Sequence, residues 1–337
     1  MKKIVFALIL SLFLGYIFAE TVISGTITEN TWWTKDKGPY ILVNDLVIAT
    51  QARLVIEPGV EVLMEKPVKI PEGIEQIDNL DSFTVAIKVF GALFAVGTPT
   101  NPIVFKGKDV KDKYTHWYGI YIDSPRSREI TISYTSISSA VNGIWVNNGS
   151  PMIRNSLLEF NNTGLRIEKK SSVRAVHCIF THNYLAGIRV IGSNPYIYNS
   201  IIIDNDITGL WGDDRVEIVF KNNLCFRNGD RDFVDTDPHF GIMKNLNANG
   251  DSIDIYGNLR CDPVFAGSIK EENLQKQGKT AKKATSENIY NEIKDKRYFL
   301  SPYSPCIDAG AADKIFREPD GSPPDLGIWG GADYIRF

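Results

Sequence analysis

Four cysteines and four histidines are all that the 337 residues hold of soft metal ligands. His116, His177, His182 and His239 fall at no metal-ligand spacing, which excludes a zinc centre of the usual kind. No Gly-x-Ser-x-Gly turn is present, so the serine-hydrolase reading also fails. Basic residues are not in excess: 37 Lys and Arg stand against 40 Asp and Glu, a net charge of -3. Nucleic acid needs a clustered basic surplus, and is not expected as a partner. Long apolar runs are missing too, apart from the stretch Ile4 to Phe18. That run is shorter than the ~20 residues of a spanning helix. Lys2 and Lys3 precede it and Ala19 and Glu20 follow, the layout of a signal peptide over residues 1–19. The mature chain is therefore expected to be secreted or held in the cell envelope, without an integral membrane domain, and is taken as a monomer. Ile17 is an unusual residue three positions before the cut, which leaves an uncleaved anchor as the alternative.

What the chain does have is repetition. Between Tyr118 and Gly229 the tetrads Gly119-Ile-Tyr-Ile122, Gly143-Ile-Trp-Val146, Gly164-Leu-Arg-Ile167, Gly187-Ile-Arg-Val190 and Gly209-Leu-Trp-Gly212 recur at steps of 24, 21, 23 and 22 residues. A second register runs beside them: Asn155-Ser156, His177-Cys178, Asn199-Ser200 and Asn222-Asn223, followed by Asn161, Asn183, Asn205 and Asn228. Asn tolerates a left-handed backbone and its amide can bond main chain or the next Asn in a stack, so these positions read as structural turns. The tetrads alternate apolar and polar at period two, which is a strand pattern and not a helical one. A coil of about 22 residues has room for three short strands, and parallel stacking of coils pairs their backbones without hairpins.

These repeats, with Leu54-Val-Ile-Glu-Pro-Gly-Val60, the stretch Gly91 to Phe105, the tail motif Ser304-Pro-Cys-Ile-Asp-Ala-Gly310, Pro319-Asp-Gly321 and Asp325-Leu-Gly-Ile-Trp-Gly-Gly331, resemble secreted right-handed parallel β-helix proteins of the pectate-lyase-like fold. The resemblance implies an all-β, right-handed parallel β-helix and is nearly silent on activity, since the scaffold hosts lyases, hydrolases, epimerases and proteins without known catalysis. The expected layout is a signal peptide over 1–19, an N-terminal cap and irregular first coils over 20–107, regular coils over 108–265, a charged insertion, helical or mobile, over 266–299, and a tail over 300–337 that packs on the solenoid. A polar stretch from Glu65 to Ser82 is expected to loop out, and the repeat lapses between Asp230 and Leu259.

Alternation turns the third residue of each tetrad outward, so Tyr121, Trp145, Arg166, Arg189 and Trp211 are expected in one column at the ~4.8 Å strand spacing. Aromatic planes and guanidinium groups in a row suit sugar rings and carboxylates, which makes this column the candidate polysaccharide track, an acidic glycan being favoured. The competing reading has the tryptophans under loops and the arginines paired with Glu168 or Asp213. Lyases of the resembling fold use Arg or Lys with calcium, and Arg166, Arg189, Lys169 and Lys170 are the nearest counterparts by residue type. No catalytic motif of the family overlays them. If the protein is an enzyme, a polysaccharide lyase or glycoside hydrolase is the class; the alternative is a non-catalytic envelope or adhesion module. For calcium, the candidate ligands are Asp213, Asp214, Asp235 and Asp237. Asp308, Asp320 and Asp325 are expected to bond nearby amides in glycine turns. A second outward column, Leu157, Ile179, Ile201 and Leu224, is too apolar to stay wet, and the segment after Asp262 is expected to cover it. Cys178 and Cys225 lie two coils apart, ~9.6 Å or more, beyond disulfide reach. Cys261 and Cys306 flank the charged insertion and are the candidate pair.

Overall fold

A computed structural model describes residues 20–65, 85–110, 116–213, 216–278, 280–282, 296–311 and 313–331. The expected signal peptide, nearly all of the polar stretch 65–82, Asp214 and most of the later part of the charged insertion lie outside the described residues.

Period-two alternation becomes parallel strands on three faces. One face is built from Thr31–Trp33, Arg53–Ile56, Ala92–Val96, Ile130–Ser133, Met152–Arg154, Arg174–Val176, Tyr196–Tyr198 and Val219–Lys221, one strand for each of about eight coils. We call this the third face. The tetrad face contains Ala86–Val89, Trp117–Asp123, Ala140–Asn148, Thr163–Ile167, Ala186–Val190, Thr208–Trp211 and Arg231–Val234. The remaining, tail-bearing face contains Glu61–Met64, Ile103–Gly107, Thr135–Ser138, Leu157–Glu159, Ile179–Thr181, Ile201–Ile203 and Leu224–Phe226. Tyr40–Ile48 serves both of these at the N-terminal end, pairing Tyr40 with Val62 and Leu46 with Ile87. Thr21–Ile27 lies parallel along it and covers the edge of the first coil. Coils in register therefore start at Thr31.

Register stacks like on like. Ile120, Ile144, Leu165, Ile188 and Leu210 form one inward ladder, all at 0% exposure, and Phe105, Ile137, Leu158, Phe180, Ile202 and Cys225 form another. Each such side chain contributes about 1.5–3 kcal/mol by leaving water. The glycines that open the tetrads are required by proximity: a Cβ on Gly164 would stand 2.6 Å from the carbonyl oxygen of Gly187 in the next coil.

Two polar ladders run through this apolar tube. In the first, the backbone N–H of Asn161 donates to Asn183 Oδ1, Asn183 to Asn205 and Asn205 to Asn228, each at 3.1 Å. In the second, Cys178 N donates to Ser200 Oγ, Ser200 N to Asn223 Oδ1 and Asn223 N to Asn258 Oδ1. Both run in one direction, so the last member needs a pure acceptor. Asp232 ends the first, accepting from Asn228 N and Nδ2 at 3.0 Å, and Asp254 ends the second, accepting from Asn258 N at 2.9 Å. The lapse after Asp230 is thus the C-terminal cap. It supplies both terminators and packs Phe233 and Phe240 on Phe220, with Tyr256 edge-on to Phe240.

Asn155, His177, Asn199 and Asn222 all take left-handed backbone, φ 45–54°. They turn their side chains outward and hold the tail: Asn155 Nδ2 donates to the carbonyls of Ile328 and Gly330, Asn199 Oδ1 accepts from Ala311 N, and Asn222 Nδ2 donates to Ala309 O. Because Asn199 Oδ1 is taken by Ala311, its Nδ2 faces His177 Nε2 at 3.2 Å; Nε2 is the acceptor and Nδ1 carries the proton. As expected, the tail covers the outward apolar column, packing Leu300, Ile307, Leu326 and Ile328 on Leu157, Ile179, Ile201 and Leu224. Its aspartates act as turn formers: Asp325 Oδ1 accepts from Asp308 N, and Asp320 Oδ1 from Ser322 N. The charged insertion opens with a short exposed helix, Ile269–Lys276, capped by Ser268 Oγ on Glu271 N.

Breaking a polar ladder in the middle orphans buried donors on one side and takes a donor from buried acceptors on the other. Asn205→Leu is expected to cost about 3 kcal/mol, read from urea unfolding, because Asn183 N and Nδ2 lose their acceptor. Tail docking is expected to depend on pH in both directions. Burial pushes the Glu318 carboxyl up to about 8 from 4.5, so its contribution is complete below 4.5 and fades as pH rises towards 8. Burial, aided by Arg154, pulls His177 down to about 3 from 6.5, so its contribution is complete above 6.5 and fades as pH falls. Melting temperature should therefore plateau between 4.5 and 6.5. Glu318→Gln should flatten the alkaline limb and His177→Asn the acid limb.

Candidate functional site

The tetrad column forms in the expected order. Tyr121 pairs with Trp145, Trp145 with Arg166, Arg166 with Arg189 and Arg189 with Trp211. Its members consume one another's surfaces. Tyr121 is 8% and Trp145 6% exposed, packed edge to face at 5.1 Å, and Tyr118 and Phe90 complete their surround. The Tyr121 hydroxyl donates to Asp123. The Arg166 guanidinium lies 4.5 Å over the Trp145 ring and is paired at 2.6 Å with Glu168. Arg189 lies 4.8 Å over Trp211 in the same way. Trp145 is covered and Arg166 sits on Glu168, as in the competing reading, whereas Trp211 is half-buried with Arg189 over its ring. Where an open sugar track was expected, the Tyr121–Trp145–Arg166 stretch has no free ring face to offer, and a neutralised Arg166 is poorly placed to hold a carboxylate. Lys169 and Lys170 sit exposed on left-handed turn backbone, φ 52° and 61°.

The candidate metal ligands do not converge. Asp213 accepts from Gly192 N; Asp237 accepts from Tyr256 Oη and from His239; Asp235 is a left-handed turn residue. Among the described residues no three His, Cys, Asp or Glu side chains gather around a common point. The cysteine pairing is also corrected: all four are free thiols. Cys261 and Cys306 are absorbed into the apolar packing between tail and sheet, and burial pushes Cys261 up to about 11 and Cys306 well above the ordinary thiol value. Cys178 and Cys225 are fully buried apolar packing, as expected.

The open site lies on the tail-bearing face. The outward ladder there runs Glu61, Val104, Ser136, Leu157, Ile179, Ile201, Leu224. Its C-terminal part is apolar and the tail buries it; at Ser136 the run of large apolar residues is interrupted, and past the half-buried Val104 it ends on the charged Glu61. The tail has less apolar surface to gain there, and it stops. A cleft of about 650 Å³ remains, walled on one side by Arg297, Tyr298, Ile328 and Trp329 and on the other by the Thr98–Pro102 turn, where Lys35 Nζ meets Asn101 Oδ1 at 3.0 Å. Such a volume lies within the range of ligand sites.

Charges in the cleft are unequally committed. Glu159 is 5% exposed and fully engaged, taking both Arg297 nitrogens at 2.7 and 2.9 Å and the Tyr298 hydroxyl at 2.8 Å. Glu61 and Lys106, both on the floor, have no hydrogen bond or ion pair among the described residues. The Trp329 indole N–H has no acceptor there either, its ring packed at a tilt of 34° against Phe299 at 4.7 Å. Sequence reasoning passed over this cleft because its two walls come from distant segments; the one readable signal was the change from Leu157 to Ser136 along the outward column.

Residues 102–260 match the family described as the right-handed β-helix region. No curated protein and no solved structure matches the chain. With the matched stretch coinciding with the central coils, and parallel coils continuing it back to Thr31, the chain folds as a right-handed parallel β-helix.

Proposed function

We propose that this is an exported protein that binds extracellular polysaccharide, an acidic glycan, in the cleft between the tail edge and the Thr98–Pro102 turn. The observation that carries the reading is the uncommitted Lys106 on the floor of an open trough whose wall holds Trp329 and Tyr298. A sugar carboxylate takes the ammonium, while sugar faces lie against the aromatic wall and hydroxyls meet Ser136, Ser138 and Asn101. β-Helix proteins are commonly polysaccharide-related. Export rests on the leading segment Lys2 to Ala19.

The carboxylates favour binding over cleavage. A glycosidase needs two carboxyl groups flanking the scissile bond, about 5–9.5 Å apart. Here Glu159 is locked to Arg297 and Tyr298, which leaves Glu61 alone on the floor. A binding or adhesion module is thus the form of the function we favour, with no bound calcium needed.

Titration calorimetry with oligomers of pectate, alginate and neutral xylan should give saturable binding for an acidic glycan. Lys106→Ala and Trp329→Ala should each weaken it about tenfold, the loss of one charged contact or one ring. Binding to none of the three, or binding unchanged in both variants, overturns the reading. Growth of unsaturated-uronate absorbance during incubation would replace a binding module by a lyase.

A further inference from the structure

The third face carries its own outward ladders. Met152, Arg174 and Tyr196 stand in register, and beside them Arg154, Val176 and Tyr198. The tail crosses this face as residues 313–316, and between strap and sheet a pocket of about 400 Å³ is left. It is separate from the cleft and shares no residue with it.

The walls are of three kinds. Met152, Val176 and Ile315 are apolar. Phe316 and Tyr198 form an aromatic corner, 5.9 Å apart, with the buried His177 edge-on to Phe316 at 6.2 Å. The charges are the guanidinium groups of Arg154 and Arg174 against the single carboxylate of Asp313. His177 adds no charge at neutral pH, since burial holds it down to about 3. Arg154 Nε is spent on Asn155 Oδ1 at 3.2 Å, whereas exposed Arg174 has no hydrogen bond or ion pair among the described residues. Tyr196, the next residue along the same ladder, is 40% exposed. An excess of one positive charge beside flat rings, in a pocket the size of one or two rings, defines its complement.

We propose that this pocket binds a carboxylate carried on a ring, the carboxylate on Arg174 and the ring against Tyr196 and Phe316. An aromatic acid and a sugar acid residue share that chemistry. Planar guanidinium matches a carboxylate with two parallel hydrogen bonds, and the aromatic corner takes the apolar face of either ring.

The full mature chain is titrated with 4-hydroxybenzoate and with glucuronate, each alongside its neutral amide. At least one acid should saturate at or below about 1 mM, its amide at least tenfold more weakly. Binding of the first marks an aromatic acid, of the second a sugar acid. Arg174→Ala and Tyr196→Ala, both at exposed positions and with unchanged melting temperature, should each weaken it about tenfold, while Lys106→Ala in the cleft leaves it intact. Failure of both acids to saturate, equal binding of acid and amide, or affinity unchanged in both Arg174→Ala and Tyr196→Ala overturns the proposal, whatever the cleft does.

Discussion

In-register contact between consecutive coils is the constraint on which everything else in this molecule rests. Parallel pairing sets matching residues one strand spacing apart, so any side chain that suits its neighbour can be repeated and any that does not is felt twice. Apolar residues satisfy this trivially. Buried polar residues satisfy it only as a chain of donors and acceptors with a defined direction, since a half-satisfied buried network costs more than an apolar core. The ladder Asn161–Asn183–Asn205–Asn228 obeys that rule, and its end at Asp232 shows why the solenoid stops where it does: a carboxylate accepts and has no amide to pass on. The second ladder's end at Asp254 makes the same point from the neighbouring corner.

The same register exports a problem to the surface. Three consecutive outward positions occupied by Ile179, Ile201 and Leu224 make a hydrophobic strip that no isolated coil would show. The tail solves it by burial, fastened through Asn155, Asn199 and Asn222. The turn residues therefore work on two levels, left-handed backbone within a coil and side-chain amide to the tail outside it. His177 occupies one of these positions as a buried neutral ring that accepts from Asn199, which ties tail docking to protonation along with Glu318.

Open surface is then defined by where covering ends. The cleft exists because the outward ladder loses apolar character at Ser136, and the third-face pocket exists because the strap spans a ladder of Arg and Tyr that it does not fill. Both hold a cation that has no partner among the described residues, beside aromatic rings, whereas in the tetrad column Arg166 and Trp145 are already each other's ligands. Rings and guanidinium groups adjacent in register stack on one another unless something keeps them apart, and chemistry of residue type alone does not reveal which outcome applies.

The sequence by itself determined the solenoid, its coil length, the column membership of Tyr121 through Trp211 and the need to cover Leu157 through Leu224, because period and register are local properties that repeat often enough to be read. It determined the chemical suitability of Asn at the turns for the same reason. Only the tertiary structure decided that Tyr121 and Trp145 are enclosed, that Cys261 and Cys306 remain thiols, that the acidic residues Asp213, Asp235 and Asp237 serve separate turns, and that Lys106 and Trp329 line one trough. Each of those depends on where a non-repeating tail lies against the coils or on how neighbouring side chains share space, and neither quantity has a period in the chain.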